Sequence, residues 1–205
     1  MISAIILAAG ESRRMGNKNK LLIPIGGEAL VVKLVKSVFA SDVGQVLVVI
    51  GHEAEKIRSE LNDFPLKFVH NPNFNKGMTS SIKSGVKAIP NDCDGFFVCM
   101  ADMPLISTSE INKLIHAYIQ KRIKGKRLIV IPVFHKQRGN PVLFSCEFRR
   151  DILEHKKEYG CKGVIKNNSE SVKEIEMDNG NILLDVDTME DLKIVSEEFV
   201  TKLRR

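Results

Sequence analysis

The sequence predicts an α/β fold of three layers, built on a doubly wound, mostly parallel sheet with a β-hairpin insertion. Three observations carry that expectation. From Ile2 to His70 short apolar runs alternate with amphipathic segments in the order βαβαβ, which implies right-handed crossovers, parallel neighbours and ligands beyond the carboxyl ends of the strands. The run Phe96 to Met100 is apolar throughout, as a central strand covered on both faces must be. Between Phe134 and Phe144 the pattern turns irregular, and Gly139-Asn140-Pro141 reads as a turn joining two extended runs over the functional face.

In chain order, the first strand is Ile2 to Leu7. It enters a small-residue turn at Ala8, Ala9 and Gly10, followed by a polar and basic loop that ends at Lys20. After Gly26-Gly27, Val31, Leu34, Val35 and Val38 recur at i, i+3, i+4 and i+7, the stripe of a helix packed on a sheet. Val46 to Ile50 is a buried strand broken by Gly51-His52, Ile57 and Leu61 mark a second helix, and Leu66 to His70 is a third strand ending at Asn71-Pro72. Gly77 opens a helix that carries Ile82, Val86 and Ile89 at helical spacing. Its first turn holds Thr79, Ser80 and Ser81, which read either as hydroxyl caps or as the start of a helix whose N–H groups face a ligand. Ser107-Thr108-Ser109-Glu110 is a capping box ahead of an Ile111, Leu114, Ile115, Tyr118 stripe. Leu128 to Val133 is a further strand, and residues 154–171 carry no clear pattern. Asp178-Asn179-Gly180, flanked by Val172 to Met177 and Ile182 to Val186, signals a hairpin turn. Thr188 with Asp191 caps the last helix.

A chain of 205 residues, 43% of them hydrophobic, is large enough for a core of its own, so one domain over residues 1–205 is expected. Lys plus Arg total 31 against 25 Asp plus Glu, a net charge of +6 that suits phosphate-rich ligands. Aromatic residues are 6% of the chain and no basic run is interleaved with stacking rings, which argues against nucleic acid as a partner. No apolar segment reaches the roughly 18 residues that cross a bilayer, and no charged leader precedes one. No membrane partner and a cytoplasmic location are therefore expected. Cys93, Cys99, Cys146 and Cys161 have neither C-x-x-C pairing nor a histidine at zinc-finger spacing, and they read as free thiols.

The loop after the first strand carries the chemistry. Small residues let backbone N–H groups approach an anion, and Arg13, Arg14, Lys18 and Lys20 add charge around it. It is not a P-loop, because Gly10 and Gly16 have five residues between them and Asn17 follows. Nor is it the dinucleotide fingerprint, whose middle glycine is missing. A basic surface loop with no ligand is the alternative. Asp102 after the fourth strand and Asp187 before the last helix are both placed to reach one sheet edge, where two carboxylates suit Mg²⁺. Taken singly, each also reads as an ordinary loop aspartate.

The stretch Leu7-Ala8-Ala9-Gly10-Glu11-Ser12-Arg13-Arg14-Met15-Gly16, followed by Asn19-Lys20-Leu21-Leu22, resembles the MobA-like nucleotidyltransferases, and most closely their molybdenum-cofactor cytidylyltransferases. The resemblance continues through Asn71-Pro72, Gly77-Met78 with Ser81-Ile82, Asp102-Met103-Pro104, Arg138-Gly139-Asn140-Pro141 and Asp185-Val186-Asp187-Thr188. It implies a nucleotide-diphospho-sugar transferase-like fold and an enzyme that joins CMP from CTP to the phosphate of molybdopterin, releasing pyrophosphate and serving a molybdenum hydroxylase. By the same resemblance Lys20, Arg13 and Asp102 are catalytic. Leu7, Ala8, Ala9, Gly10, Ser12, Arg13, Lys20, Gly51, Gly77 and Asp102 hold the nucleotide, and Asp102 with Asp187 hold Mg²⁺. CTP rather than another nucleoside triphosphate is implied because guanylyltransferase relatives usually read Leu-Ala-Gly-Gly, and a proline where this chain has Met78. Family members often carry G-D-x-G-A-R late in the chain, whereas Glu158-Tyr159-Gly160-Cys161-Lys162 stands here, with lysine lacking the bidentate fork of arginine. The acceptor is thus open to two alternatives: a sugar or polyol phosphate, or no acceptor at all in a cofactor chaperone.

Overall fold

The computed structural model describes residues 1–16, 18–155 and 160–203, with the side chains of Arg13 and residues 200–203 outside that description. Its strands are β1 (Ile2–Ala8), β2 (Pro24–Ile25), β3 (Glu28–Ala29), β4 (Gln45–Ile50), β5 (Lys67–His70), β6 (Gly95–Met100), β7 (Ile129–Phe134), β8 (Gln137–Arg138), β9 (Val142–Ser145) and β10 (Val172–Glu176). Its helices are α1 (Leu30–Phe39), α2 (Ala54–Glu60), α3 (Met78–Ala88), α4 (Thr108–Lys121), α5 (Arg149–Glu154), α6 (Lys162–Lys166) and α7 (Met189–Leu203). The main sheet runs β10-β7-β9-β6-β1-β4-β5, with β8 paired to β7, while β2 and β3 form a separate ribbon.

β1 is buried along its whole length and lies between two parallel neighbours, β4 and β6. Because side chains alternate across a strand, Ala4, Ile6 and Ala8 enter one core cluster with the buried faces of α1 and α4, while Ile5 and Leu7 enter the other with Ile82 and Val86 of α3. Both faces are covered, so the strand has no polar side to show in its sequence. On one face α3 closes tightly against the sheet: a Cβ at Gly85 would stand 2.3 Å from Ile5 Cγ2. The capping box is present in full, with Glu110 N donating to Ser107 Oγ and the Glu110 carboxylate accepting from Ser107 N.

Three expectations need correcting. The insertion is a hairpin of β7 with the β8–β9 segment, but its arms lie in the sheet, and β9 runs antiparallel between β6 and β7. Its turn is His135-Lys136, both at positive φ (48° and 66°), as a two-residue loop matched to strand twist requires. Gly139-Asn140-Pro141 instead separates β8 from β9, and the turn was hidden because neither of its residues is Gly, Asn or Asp. The second hairpin does not form. β10 pairs in parallel with β7, and residues 181–183 make a single helical turn whose Ile182 is fully buried against Gly139, so packing prevails over the local turn signal. Finally, Cys93 and Cys146 are disulfide-bonded, leaving Cys99 and Cys161 free. The antiparallel pairing of Gly95 with Ser145 brings these remote cysteines side by side, which no spacing rule detects.

Candidate active site

The loop that leaves β1 folds back on itself. Ser12 adopts a left-handed conformation (φ 53°) and its Oγ accepts from Lys20 N at 3.1 Å. Asn19 Oδ1 accepts from Leu21 N at 3.1 Å, fixing the short turn that carries Lys20. Lys20 Nζ then reaches across the sheet edge, 2.6 Å from Asp102 Oδ2 and 2.8 Å from Asp187 Oδ1. Arg14 Nη1 covers the other Asp187 oxygen at 2.8 Å.

Asp102 follows β6, and its carbonyl accepts from Val186 N at 2.9 Å, drawing residues 185–187 to the same edge. Asp191 Oδ2 accepts from the amides of Asp187 (3.0 Å) and Thr188 (2.7 Å), and Asp191 N donates to Thr188 Oγ1, so the expected cap anchors the next helix beside the site. One carboxylate oxygen from each of Asp102, Asp185 and Asp187 lies within 4.8 Å of the others. Partial burial, with the charges of Asp102 and Asp187, raises the Asp185 pKa above its ordinary 3.8. Burial works against the charge on Lys20, but Asp102 and Asp187 together outweigh it, so its pKa stands above 10.5. Asp102 Oδ1 is buried with no hydrogen-bond partner. Three hard oxygen donors, one of them buried and unpartnered, fit a hexacoordinate dication such as Mg²⁺.

These groups edge a cavity of about 450 Å³ lined also by Leu7, Ala9, Gly10, Ser12, Gly77 and Met78. Of the expected residues, Ala8 and Gly51 stand apart. Ala8 points into the opposite core cluster, and a Cβ on Gly51 would lie 2.8 Å from the Phe74 ring, so Phe74 and not Gly51 meets the cavity. Arg13 has no described side chain. Arg14, expected to add charge around the loop, lines the cavity, and so do Phe74, Asn75, Met100 and Asp185, which were not assigned from sequence. For Asp185 the signal was present, since residues two apart in extended chain share a side.

The hydroxyls at the start of α3 do not cap it. Thr79 Oγ1 accepts from Gly160 N at 3.0 Å, and the buried Asn71 Nδ2 donates to Ser80 Oγ (2.9 Å) and Ser81 Oγ (3.0 Å). Asn71 Oδ1 accepts from Asn73 N at 3.0 Å, so one buried amide fixes the turn that sets Phe74, Gly77 and Met78 along the cavity. A second cleft of about 300 Å³ shares Met78, Met100 and Asp185 with the first. Its lining is largely apolar, from Ile82, Val98, Val142 and Phe144, with Arg138 and Lys162 adding charge. Gly160, Cys161 and Lys162 line this cleft, while Glu158 and Tyr159 fall outside the described residues.

Gly10 supplies a direct test of the loop. No atom lies within 4 Å of a Cβ built there, yet the residue lines the cavity. Gly10→Val is therefore expected to change stability by less than about 0.5 kcal/mol while raising the KM for the triphosphate. Thermal unfolding and nucleotide titration on one preparation check both halves, and an unchanged KM would remove the loop from the site.

A doubly wound sheet with a cationic loop and clustered carboxylates at its carboxyl edge is a fold and site of the nucleotidyltransferase type. The chain belongs to the MobA-like NTP transferase family, whose sequence model matches residues 4–172. It is 33% identical over 132 residues to a probable molybdenum cofactor guanylyltransferase of Natranaerobius thermophilus, covering 64% of this chain and 60% of that protein. Nicotine blue oxidoreductase of Paenarthrobacter nicotinovorans is 27% identical over 124 residues, or 60% of each chain. The matches thus span about three fifths of the length of these relatives. Among solved structures, a nucleotidyl transferase from Methanothermobacter superposes with a TM-score of 0.85 at 20% identity, covering 98% of this chain and 99% of that one. A Mycobacterium tuberculosis protein in complex with manganese gives 0.75 at 20% identity, over 96% of this chain and 98% of the other. Among the described residues, no helix is long and apolar enough to cross a membrane.

Proposed function

We propose that this chain is a single-domain cytidylyltransferase that joins CMP from CTP to the phosphate of molybdopterin and serves a molybdenum hydroxylase in the cytoplasm. The observation that carries the reading is the meeting of Lys20, Arg14 and three carboxylates at one cavity. An oxygen of the acceptor phosphate attacks the α-phosphorus, the bond from that phosphorus to the bridging oxygen breaks, and pyrophosphate leaves with the electron pair. Such a transfer depends on positioning and on neutralising charge. The amides from Ala9 to Ser12 cradle the phosphates, Lys20 and Arg14 neutralise their oxygens, and the second cleft orients the acceptor. Asp102 and Asp187, with Asp185 beside them, would hold Mg²⁺, which when bound offsets charge on the phosphate oxygens. The manganese complex of the mycobacterial neighbour is consistent with a divalent ion in this fold.

CTP is favoured because the Ala9 methyl and the long Met78 side chain both occupy cavity wall, which favours the smaller pyrimidine, and because guanine would need its added polar groups paired there. The relative named as a guanylyltransferase makes GTP the competitor to test. With equal CTP and GTP in one reaction with molybdopterin and Mg²⁺, the expected product is the cytidine dinucleotide, and equal or greater guanylate incorporation overturns the nucleotide assignment. Replacing molybdopterin by sugar or polyol phosphates in the same pyrophosphate-release assay tests the acceptor. Release with those alone would move the chain to the alternative class, and cofactor binding without any release would make it a chaperone.

A further inference from the structure

We propose that Lys20 is a stand-in cation for the metal, so that the protein takes up its divalent ion only when a nucleotide draws the lysine away. The inference rests on the metal-site reading above. Asp187 has both oxygens engaged, one by Lys20 at 2.8 Å and one by Arg14 at 2.8 Å, and Asp102 gives its Oδ2 to Lys20 at 2.6 Å. The Asp102 Oδ1 left over is buried and without a hydrogen-bond partner. A dication cannot join this arrangement unchanged, because it would meet an ammonium already in contact with two of its carboxylates, and like charges at contact distance repel strongly where water is sparse. Lys20 is well covered, with 13% of its side chain exposed.

The same ammonium can leave without moving its backbone. Its backbone is held by Ser12 Oγ and by the turn that Asn19 caps, while the ammonium rides on a flexible four-carbon stem. Its side chain borders the cavity between Ser12 and Asp102, within reach of phosphate oxygens placed against the Gly10 loop. A triphosphate therefore offers the ammonium new partners and frees Asp102 and Asp187 in one exchange. By reciprocity, nucleotide and metal tighten each other's binding, and the empty protein has low affinity for metal.

The test uses Mn²⁺ alone as the probe, titrated into nucleotide-free full-length protein, with free ion read by its paramagnetic resonance. Lys20→Gln is expected to bind Mn²⁺ about tenfold more tightly than the parent, within the usual range of coupling between sites. Arg14→Gln, which frees one Asp187 oxygen at an exposed position, should move affinity the same way by less, and it serves as the second variant if Lys20→Gln does not fold. Adding CTP should tighten Mn²⁺ binding in the parent. Equal Mn²⁺ affinity in the parent and both variants, with binding lost in Asp102→Asn, overturns the stand-in role and leaves the metal site intact. Mn²⁺ binding unchanged by Asp102→Asn overturns the metal-site reading itself, and this proposal with it.

Discussion

Asp102→Ala and Asp187→Ala are each expected to abolish divalent-ion-dependent turnover, a loss on the order of 10³-fold or more, with the double variant little worse than either single one. Groups that act as one unit fail together, so their losses do not add. The geometry gives this expectation its force. A single ammonium bridges the two side chains, and the backbone joins them as well, since Val186 N donates to Asp102 O. Single-turnover rates of the parent, the two variants and the double variant, each with excess Mg²⁺ and with a chelator, form the cycle that measures the coupling. Losses that multiply, or full activity in the chelator, would show that the pair is not a shared metal site.

Lys20→Ala is expected to lower turnover by about 10²–10³-fold, the loss typical of removing one group that stabilises charge in the transition state. Its effect on stability should also be measurable. From sequence alone the lysine reads as part of a basic loop, but it is covered and bridges two acids, so its removal leaves Asp102 and Asp187 in mutual repulsion, at a cost of about 1–3 kcal/mol. Divalent ions should restore that stability without restoring turnover. Melting temperatures and rates, each with and without Mg²⁺, separate the two roles. A variant that keeps its rate would exclude Lys20 from catalysis.

Where the sequence was legible, the reason is that the physics was local. The apolar run of β1, its small-residue exit and the Ser107–Glu110 box depend on neighbours within a few residues, and they fold as expected. Asp102 could be placed because a fully apolar strand delivers it to the sheet edge. The misplaced features depend on distant partners. β10 takes β7 as its neighbour despite the Asp178-Asn179-Gly180 signal, Cys93 finds Cys146 only through the β6–β9 register, and Gly51 gives way to Phe74 at the cavity wall. Asp185 is a local case as well, since the Asp-Val-Asp spacing in extended chain turns both acids the same way.

The placing of β1 between β4 and β6 has a consequence for how the protein is made. A ribosome releases β1 early, yet one of its two neighbours, β6, begins only at Gly95, and pairing across such separations is slow to form. The cation is synthesised before either carboxylate it bridges, 82 residues ahead of Asp102 and 167 ahead of Asp187. At a synthesis speed of about 5–20 residues per second, several seconds pass in which the lysine has no acid to meet. The nascent chain therefore has no completed site with which to capture a nucleotide, and ligand binding can stabilise only the finished sheet.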